Sequence, residues 1–229
     1  LHTGTMFAVI VYFWRSWRQT YFSSAKALWD NGVYVAVATV ATGIVGLTLL
    51  YVIKHTVMRG AASFEVEHLF GNTKLMAVSL AVAGVLIIVS SRRAVTAAED
   101  LTGKRALWIG AVQGLCLPFR GLSRSGATIS SGMLLGVQRR RAEEFSFALA
   151  VVLTPAVIAK EGYRFYQAYA GATDSLLPML APSLLGMAAS FVAGLVALRW
   201  LSRWLEQGRW YLFGCYCLVA SVAVWTFGG

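Results

Sequence analysis

One short polar run holds most of the residues in this chain that could do chemistry. It reads Gly121-Leu122-Ser123-Arg124-Ser125-Gly126-Ala127-Thr128 and lies between two apolar segments. A guanidinium can bind two phosphate oxygens at once, hydroxyls donate hydrogen bonds, and glycines let a backbone approach its ligand closely. The run also precedes an apolar helix, whose first amide groups favour an anion. These residue types together predict a seat for a phosphate group.

The composition places this seat inside a membrane. Of the 229 residues, 58% are hydrophobic and 13% are charged, whereas soluble domains have about 25% charged residues. The mean hydropathy is +0.64. We therefore expect an all-α, polytopic transmembrane helical bundle, in which an arginine at bilayer depth marks a functional site. The net charge of +10 lies in short loops and not on one solvated face, which argues against a nucleic-acid partner.

Eight apolar segments alternate with polar loops. They cover 1–14, 32–53, 75–91, 106–117, 127–137, 145–159, 181–201 and 211–227. A helix needs about 20 residues to cross the hydrocarbon core, so the two segments beside the polar run are too short to cross separately. They predict a re-entrant helix-loop-helix hairpin over about 105–138 with its tip at 118–126. Non-helical backbone persists at membrane depth only inside protein or beside water, which predicts a wet pocket reaching the tip.

The distribution of basic residues favours the hairpin over a single full crossing. With a hairpin, one set of loops holds thirteen of the 20 Lys and Arg residues and the opposite set holds five. With a full crossing the bias falls to ten against eight, because 139–141 change sides. The hairpin fits the positive-inside rule better and makes the first set cytoplasmic. That set is Arg15, Arg18, Lys26, Arg92, Arg93, Lys104, Arg105, Arg139, Arg140, Arg141, Arg199, Arg203 and Arg209.

The segments also predict an internal repeat. Three segments precede the hairpin and three follow it, and an odd number gives the two halves opposite orientations, as in folds with inverted repeats and broken helices. We expect one membrane domain over 1–229, with 1–91 as the remainder of the first repeat and 105–229 as the second. The symmetry predicts a matching hairpin immediately upstream of Leu1. Because segment 1–14 is too short to cross, we expect the chain to be truncated and to begin within a helix.

The polar run and its surroundings resemble a known family. The block Ser123-Arg124-Ser125-Gly126-Ala127-Thr128-Ile129 is followed by Gly132-Met133, Gly136-Val137 and Glu144-Phe145-Ser146-Phe147. This pattern is similar to the second signature of bacterial undecaprenyl-pyrophosphate phosphatase, the bacitracin-resistance family. The start of the chain, His2-Thr3-Gly4-Thr5-Met6, resembles the segment that follows that family's first signature. The resemblance therefore extends over essentially the whole chain.

The resemblance implies a reaction and a site. The implied reaction is hydrolysis of undecaprenyl pyrophosphate to undecaprenyl phosphate, which recycles the lipid carrier for cell-wall synthesis and confers bacitracin resistance. The implied assembly is a homodimer in the bacterial inner membrane, with two re-entrant hairpins and an active site open to the periplasmic side. Carried onto this chain, Arg124 binds the pyrophosphate and Ser123 and Ser125 are catalytic contacts. The implied substrate-binding residues are Arg120, Gly121, Gly126 and Thr128.

Two departures from the family pattern have consequences. Arg120 stands where the family has a proline, which adds a second cation to the tip. The family's glutamate-rich first signature has no counterpart in this sequence and would fall upstream of Leu1. Because the family is metal-assisted, the resemblance implies a divalent cation, Mg²⁺ or Ca²⁺, with ligands mainly from that segment. Residues 1–229 alone are then expected to bind the diphosphate weakly and not to hydrolyse it.

Glu144 and His2 are candidates for a second layer around the site. Glu144 belongs to the Glu-Phe-Ser-Phe block, and His2 lies in the family-like block at the start. A bland alternative for Glu144 and its neighbour Glu143 is screening of the arginines at a helix start. No histidine is near the hairpin in sequence, so a serine nucleophile has no evident base.

Other functions stay open. A non-enzymatic transporter or flippase of an anionic polyprenyl lipid fits inverted repeats with half-helices that face anions. A histidine-dependent lipid phosphatase also uses a serine-arginine element, but it needs histidine partners that the Ser123 block lacks. A purely structural membrane subunit leaves the energetic cost of Arg124 unexplained.

Overall fold

The computed structural model describes residues 2–56, 73–92, 100–169 and 177–228. Within these ranges the chain is all-α, as predicted, and forms eight helices. They are α1 (His2–Thr20), α2 (Ala25–Thr56), α3 (Thr73–Arg92), α4 (Gly103–Cys116), α5 (Arg124–Leu134), α6 (Arg139–Tyr169), α7 (Leu177–Glu206) and α8 (Trp210–Phe227).

Five of these helices, α2, α3, α6, α7 and α8, are long and apolar enough to cross a membrane. The chain is therefore a multi-pass membrane protein. α1 extends past Trp14, where its apolar segment ends, because Trp17 remains buried while Arg15 and Arg18 are exposed. α2 likewise begins at Ala25, ahead of its apolar segment.

The predicted hairpin is confirmed in α4 and α5. With 14 and 11 residues, they are about 21 and 16 Å long, and both are shorter than the roughly 30 Å hydrocarbon core. They pack against each other and run in opposite directions. A Cβ built at Gly132 would lie 3.4 Å from Ile109, and one built at Gly136 would lie 3.8 Å from the Arg105 guanidinium. The start of α4 and the end of α5 therefore lie at the same side.

Helices α1 and α6 are antiparallel. Phe13 stacks on Phe147 with ring centroids 5.2 Å apart. Further along α1, Ser16 donates a hydrogen bond to Glu144, which lies earlier on α6. α1 therefore ends where α6 begins.

Helices α3 and α8 form a second antiparallel pair. Their middles meet at Gly84 and Gly214, where a Cβ on either glycine would lie within 3.0 Å of the other's carbonyl oxygen. Their far ends meet at Thr73 and Gly228, with 3.2 Å between the Thr73 Cβ and the Cβ position of Gly228. Since helices alternate in direction along the chain, α1, α2 and α3 run opposite to α6, α7 and α8 respectively.

Basic residues collect at one end of the bundle. This basic end is where α1, α3, α5 and α7 finish and where α2, α4, α6 and α8 begin. A cavity there brings together Arg15, Arg140 and Glu206, and Arg139 approaches within 3.2 Å of the Cβ position of Gly208. Twelve described residues of the predicted cytoplasmic set lie at this end: Arg15, Arg18, Lys26, Arg92, Lys104, Arg105, Arg139, Arg140, Arg141, Arg199, Arg203 and Arg209. Arg93 falls outside the described residues.

Small residues seat the first arm of the hairpin against α2. A Cβ on Gly110 would lie 2.2 Å from the carbonyl oxygen of Ala38, so the two backbones are in direct contact. The Thr42 hydroxyl lies 2.7 Å from the carbonyl oxygen of Ala38 and 2.9 Å from that of Gly110, and Gln113 donates to the Thr42 hydroxyl oxygen at 3.3 Å. Small residues and short hydrogen bonds of this kind join helices in membranes. The contact fixes α4 and therefore the position at which the chain turns.

Candidate functional site

The hairpin tip, which comprises the loop 117–123 and the first two residues of α5, Arg124 and Ser125, lies near the middle of the bundle. Thr128 of α5 is hydrogen-bonded to Ser146 of α6, which is about 10 Å from the start of α6 at 1.5 Å per residue. Arg124 lies one turn beyond Thr128, about 16 Å from the basic end. Half of a hydrocarbon core is about 15 Å. The distance of the tip from the basic end is therefore compatible with the mid-membrane position that the sequence predicts.

Gly121 shapes the turn. Its φ of +94° belongs to the left-handed region that favours glycine. A Cβ there would also lie 2.7 Å from the carbonyl oxygen of Met76 in α3. The tip can therefore pass α3 only because this residue has no side chain.

Ser123 caps the helix that carries the arginine. Its hydroxyl accepts a hydrogen bond from the backbone N–H of Gly126 at 3.1 Å, the arrangement of an N-cap. Within the described residues, the N–H groups of Arg124 and Ser125 have no hydrogen-bond acceptor. A helix start with unpaired amides is a favourable place for an anion. The cap leaves the hydroxyl hydrogen of Ser123 available to donate as well.

Arg124 is half-buried at this helix start. Its guanidinium makes no ion pair or side-chain hydrogen bond with any described residue. Arg120, the second cation of the tip, is exposed. An unpaired guanidinium at membrane depth is costly, and a bound anion would compensate it. The tip thus combines one half-buried cation, free amides and hydroxyls.

A metal site does not form among the described residues. They contain no group of three or more His, Cys, Asp or Glu side chains that could hold an ion. Hard divalent cations bind mainly through carboxylate and carbonyl oxygens, and the described tip offers no carboxylate. These residues therefore do not fit the Mg²⁺ or Ca²⁺ that the resemblance implies.

Thr128 and Gly126 lie further along α5, between the tip and the basic end. Both are buried, and the Thr128 hydroxyl is 2.8 Å from the carbonyl oxygen of Arg124 and 2.5 Å from the hydroxyl of Ser146. Its hydrogen-bonding capacity is used within the protein. The assignment of Thr128 as a phosphate contact remains a prediction, and the geometry favours a supporting role for it.

Glu144 lies at the basic end, away from the tip. Its carboxylate accepts hydrogen bonds from Ser16 and Thr20 of α1 and from Arg140 at 3.1 Å. Arg141 approaches it at 4.0 Å. These contacts match the alternative interpretation, in which Glu144 compensates the charge of the nearby arginines. They also join α6 to α1, which the sequence did not indicate.

Arg141 extends this polar cluster to α2. It donates to the Asn31 side chain and its guanidinium carbon lies 5.2 Å from the ring centroid of Tyr21, within range of a cation–π contact. Burial raises the pKa of Tyr21 to about 12, so its hydroxyl stays neutral in the physiological range. Cavities of about 480 and 650 Å³ flank the cluster.

His2 is exposed in the first turn of α1, at the end opposite the basic end. Its carbonyl accepts a hydrogen bond from Thr5. No hydrogen bond joins His2 to the tip among the described residues. Its role as a site residue stays a prediction.

Two further described residues hydrogen-bond to α5, and the sequence analysis assigned neither to the site, although Ser146 stands in the Glu144-Phe145-Ser146-Phe147 block. Ser146 of α6 contacts Thr128, as described, and Trp210 of α8 donates its indole N–H to Ser130 at 3.1 Å. A further signal was a set of hydroxyls, at positions 128, 130 and 131, inside an apolar segment. Such groups need partners at membrane depth, but the sequence does not say which.

The fold and the tip define a class: a multi-pass α-helical membrane protein with a half-buried arginine at the start of a short helix near the middle of the bundle. The profile of the family described as Bacitracin resistance protein BacA matches residues 1–223. The chain therefore belongs to the bacitracin resistance protein BacA family.

Three curated relatives share the name undecaprenyl-diphosphatase. The chain is 59% identical over 230 residues to Undecaprenyl-diphosphatase 2 of Acinetobacter baylyi, covering 99% of this chain and 81% of that protein. It is 34% identical to Undecaprenyl-diphosphatase of Desulfosudis oleivorans, with 98% and 82% covered. It is 32% identical to Undecaprenyl-diphosphatase of Thermus thermophilus, with 99% and 78% covered.

Proposed function

We propose that this protein hydrolyses undecaprenyl diphosphate to undecaprenyl phosphate and inorganic phosphate. The reaction recycles the lipid carrier for cell-wall synthesis and thereby confers resistance to bacitracin. Membership of the BacA family and relatives named undecaprenyl-diphosphatase support it. The structural observation that supports it best is the half-buried Arg124 guanidinium, which has no acidic partner among the described residues.

The proposed roles of the tip residues follow from their chemistry. The Arg124 fork binds the diphosphate oxygens, and the amides of Arg124 and Ser125 stabilise negative charge at the start of α5. The Ser123 and Ser125 hydroxyls donate further hydrogen bonds, and Arg120 attracts the diphosphate from solvent. Phosphoryl transfer depends on positioning and charge neutralisation, which these groups supply.

We assign the two serines to hydrogen bonding and not to nucleophilic attack. A serine nucleophile requires an adjacent base. In the described part of the chain, no hydrogen bond joins Ser123 or Ser125 to a histidine or a carboxylate. The attacking group in this proposal is water.

The inverted arrangement supports two repeats, 1–91 and 105–229. α1 packs on α7 and α2 on α6, while α1 meets α6 and α3 meets α8. This set of contacts is unchanged when α1, α2 and α3 are exchanged with α6, α7 and α8. By the same exchange, the contact of α4 with α2 corresponds to a hairpin arm on α7, whose span Pro182–Glu206 has only 6% of its most apolar window buried. We propose that the glutamate-rich hairpin implied by the family packs there and supplies the cation's ligands.

The proposed location is the bacterial cell membrane, with the basic end in the cytoplasm and the tip open to the periplasmic side. The positive-inside rule supports this orientation, since the basic residues collect at one end. We also propose a homodimer, as the family resemblance implies.

Reconstituted vesicles separate hydrolysis from the alternative of lipid transport. The opposed helix directions and the half-crossing hairpin favour transport as a second candidate, because transporters use the same architecture. Vesicles that carry the full product of the gene receive undecaprenyl diphosphate labelled in both phosphates. We expect release of the terminal phosphate. Movement of the lipid across the bilayer with its diphosphate intact, and no release, would identify a flippase instead.

A further inference from the structure

Helix α5, which begins at Arg124, carries several buried hydroxyl groups although it lies inside the bundle. α5 has 11 residues, and Thr128, Ser130 and Ser131 lie within it, all buried. Polar groups at this depth must find partners inside the protein. Ser131 does so locally, by donating to the Thr128 carbonyl at 3.0 Å. The other two hydroxyls are hydrogen-bonded to residues on other helices.

Ser146 on α6 starts a short relay that ends at Arg124. The Thr128 hydroxyl has one hydrogen, and the carbonyl of Arg124 at 2.8 Å is the closer of its two backbone acceptors, with that of Ser125 at 3.3 Å. Ser146 makes no other hydrogen bond among the described residues, so both hydroxyl hydrogens find an acceptor when Thr128 donates to Arg124 and Ser146 donates across the 2.5 Å contact to Thr128. The order is Ser146 hydroxyl to Thr128 oxygen, and Thr128 hydroxyl to Arg124 carbonyl. Ser146 is 3% exposed, so this hydrogen bond is shielded from solvent.

Trp210 on α8 holds α5 from another direction. Its indole is 1% exposed and donates to Ser130 at 3.1 Å. Stacking on Phe213, with ring centroids 5.4 Å apart, fixes the plane of the indole. Residues two apart on a helix point in directions about 200° apart. Thr128 and Ser130 are therefore held from nearly opposite sides, which prevents α5 from rotating about its axis.

We infer that Ser146 and Trp210 are positioning residues for the reaction: their buried hydrogen bonds to Thr128 and Ser130 set the rotation of α5 and so the direction in which Arg124 meets the diphosphate. The inference rests on the proposed function, because it requires Arg124 to bind the substrate. Among the described residues, neither side chain hydrogen-bonds to the tip. Both act through α5, which begins at Arg124.

The test uses the full product of the gene and measures phosphate release from undecaprenyl diphosphate. Ser146→Ala removes the first donor, and Trp210→Phe removes the indole N–H while retaining an aromatic ring. A misplaced binding group lowers turnover by about 10- to 100-fold, so we expect each variant to lose kcat by that factor, with a melting temperature lowered no more than that of the control variant, which also loses a buried hydrogen bond. Ser221→Ala is the matched control. It removes a buried hydroxyl that donates to Ala77 at 2.6 Å between α8 and α3, and we expect its kcat to stay within two-fold.

A second background separates positioning from a general structural effect. Arg124→Lys keeps the charge but loses the planar fork whose direction matters. There, Ser146→Ala should lower kcat by less than three-fold, because the group that it positions is gone. An equal loss in both backgrounds, or a loss that tracks a lower melting temperature, would overturn the inference.

Further variants replace the first ones if those do not fold. If Trp210→Phe does not accumulate in the membrane, Ser130→Ala removes the same hydrogen bond at its acceptor. If Ser146→Ala does not accumulate, Ser146→Cys keeps the size and weakens the donor. Wild-type kcat in these variants, together with a loss on Arg124→Ala, would overturn the positioning role alone. Wild-type kcat on Arg124→Ala would overturn the proposed function of the tip as well.

Discussion

Gly121 illustrates how single residues determine the shape of the tip. Its φ of +94° is one that residues with a Cβ adopt at a cost of about 1–3 kcal/mol. The nearest neighbour of an added Cβ, at 2.7 Å, is a backbone oxygen of α3, which a side-chain rotation cannot relieve. Two independent physical reasons thus require glycine here.

Gly121→Ala should lower both stability and turnover. We expect the free energy of unfolding to fall by about 1–3 kcal/mol, measured as a lower melting temperature in detergent. We also expect Arg124 to be displaced, measured as slower phosphate release. Gly32→Ala is the control, because an added Cβ at Gly32 meets nothing within 4 Å and alanine favours helix. Equal melting temperatures for Gly121→Ala and the wild type would contradict this account of the turn.

At the scale of elements, Glu144 connects the end of α1 to the start of α6. Its side chain is 5% exposed, while that of Arg141 is 13% exposed. Removing the carboxylate leaves Arg141 partly buried without its counter-charge, and breaking such a pair costs about 3 kcal/mol. The loss concerns helix packing at the basic end and not the tip.

Glu144→Ala should therefore lower stability without lowering turnover by the folded protein. The measurements are the melting temperature and the rate of phosphate release per folded molecule. Glu161→Ala is the matched control, because the Glu161–Arg164 pair is exposed and such pairs contribute little. A selective loss of turnover in Glu144→Ala, at unchanged stability, would instead support the role near the site that the sequence suggested.

The sequence predicted the elements better than the contacts between them. Segment length and the placement of Arg139 to Arg141 sufficed for the hairpin, since both follow from membrane thickness and loop charge. The tie between Ser16 and Glu144 joins residues 128 positions apart, and the Trp210–Ser130 bond spans 80. No local pattern encodes such partners. Arg124 could be singled out from the sequence because its type is rare at that depth, whereas its lack of an acidic partner among the described residues became evident only in three dimensions.

At the scale of the whole molecule, the collection of basic residues at one end predicts an orientation. Gln19 is exposed at the basic end and Lys54 is exposed at the opposite end. In a variant without its native cysteines, we expect Lys54→Cys to react with an impermeant maleimide on spheroplasts. Gln19→Cys should react only after the membrane is opened. The reverse pattern would show that the basic end faces outward.

The most direct test of the tip as the active site is the rate at which the protein, expressed from its own gene, releases phosphate from undecaprenyl diphosphate. Arg124→Ala removes the guanidinium, and loss of a preorganised charge-stabilising group costs about 100-fold or more in kcat. Arg18→Ala, an exposed arginine of the basic end, is the matched control and should keep the wild-type rate. A loss of at least about 100-fold for Arg124→Ala, with normal membrane insertion and a normal rate for Arg18→Ala, is the predicted result. A wild-type rate for Arg124→Ala would contradict the assignment of the tip.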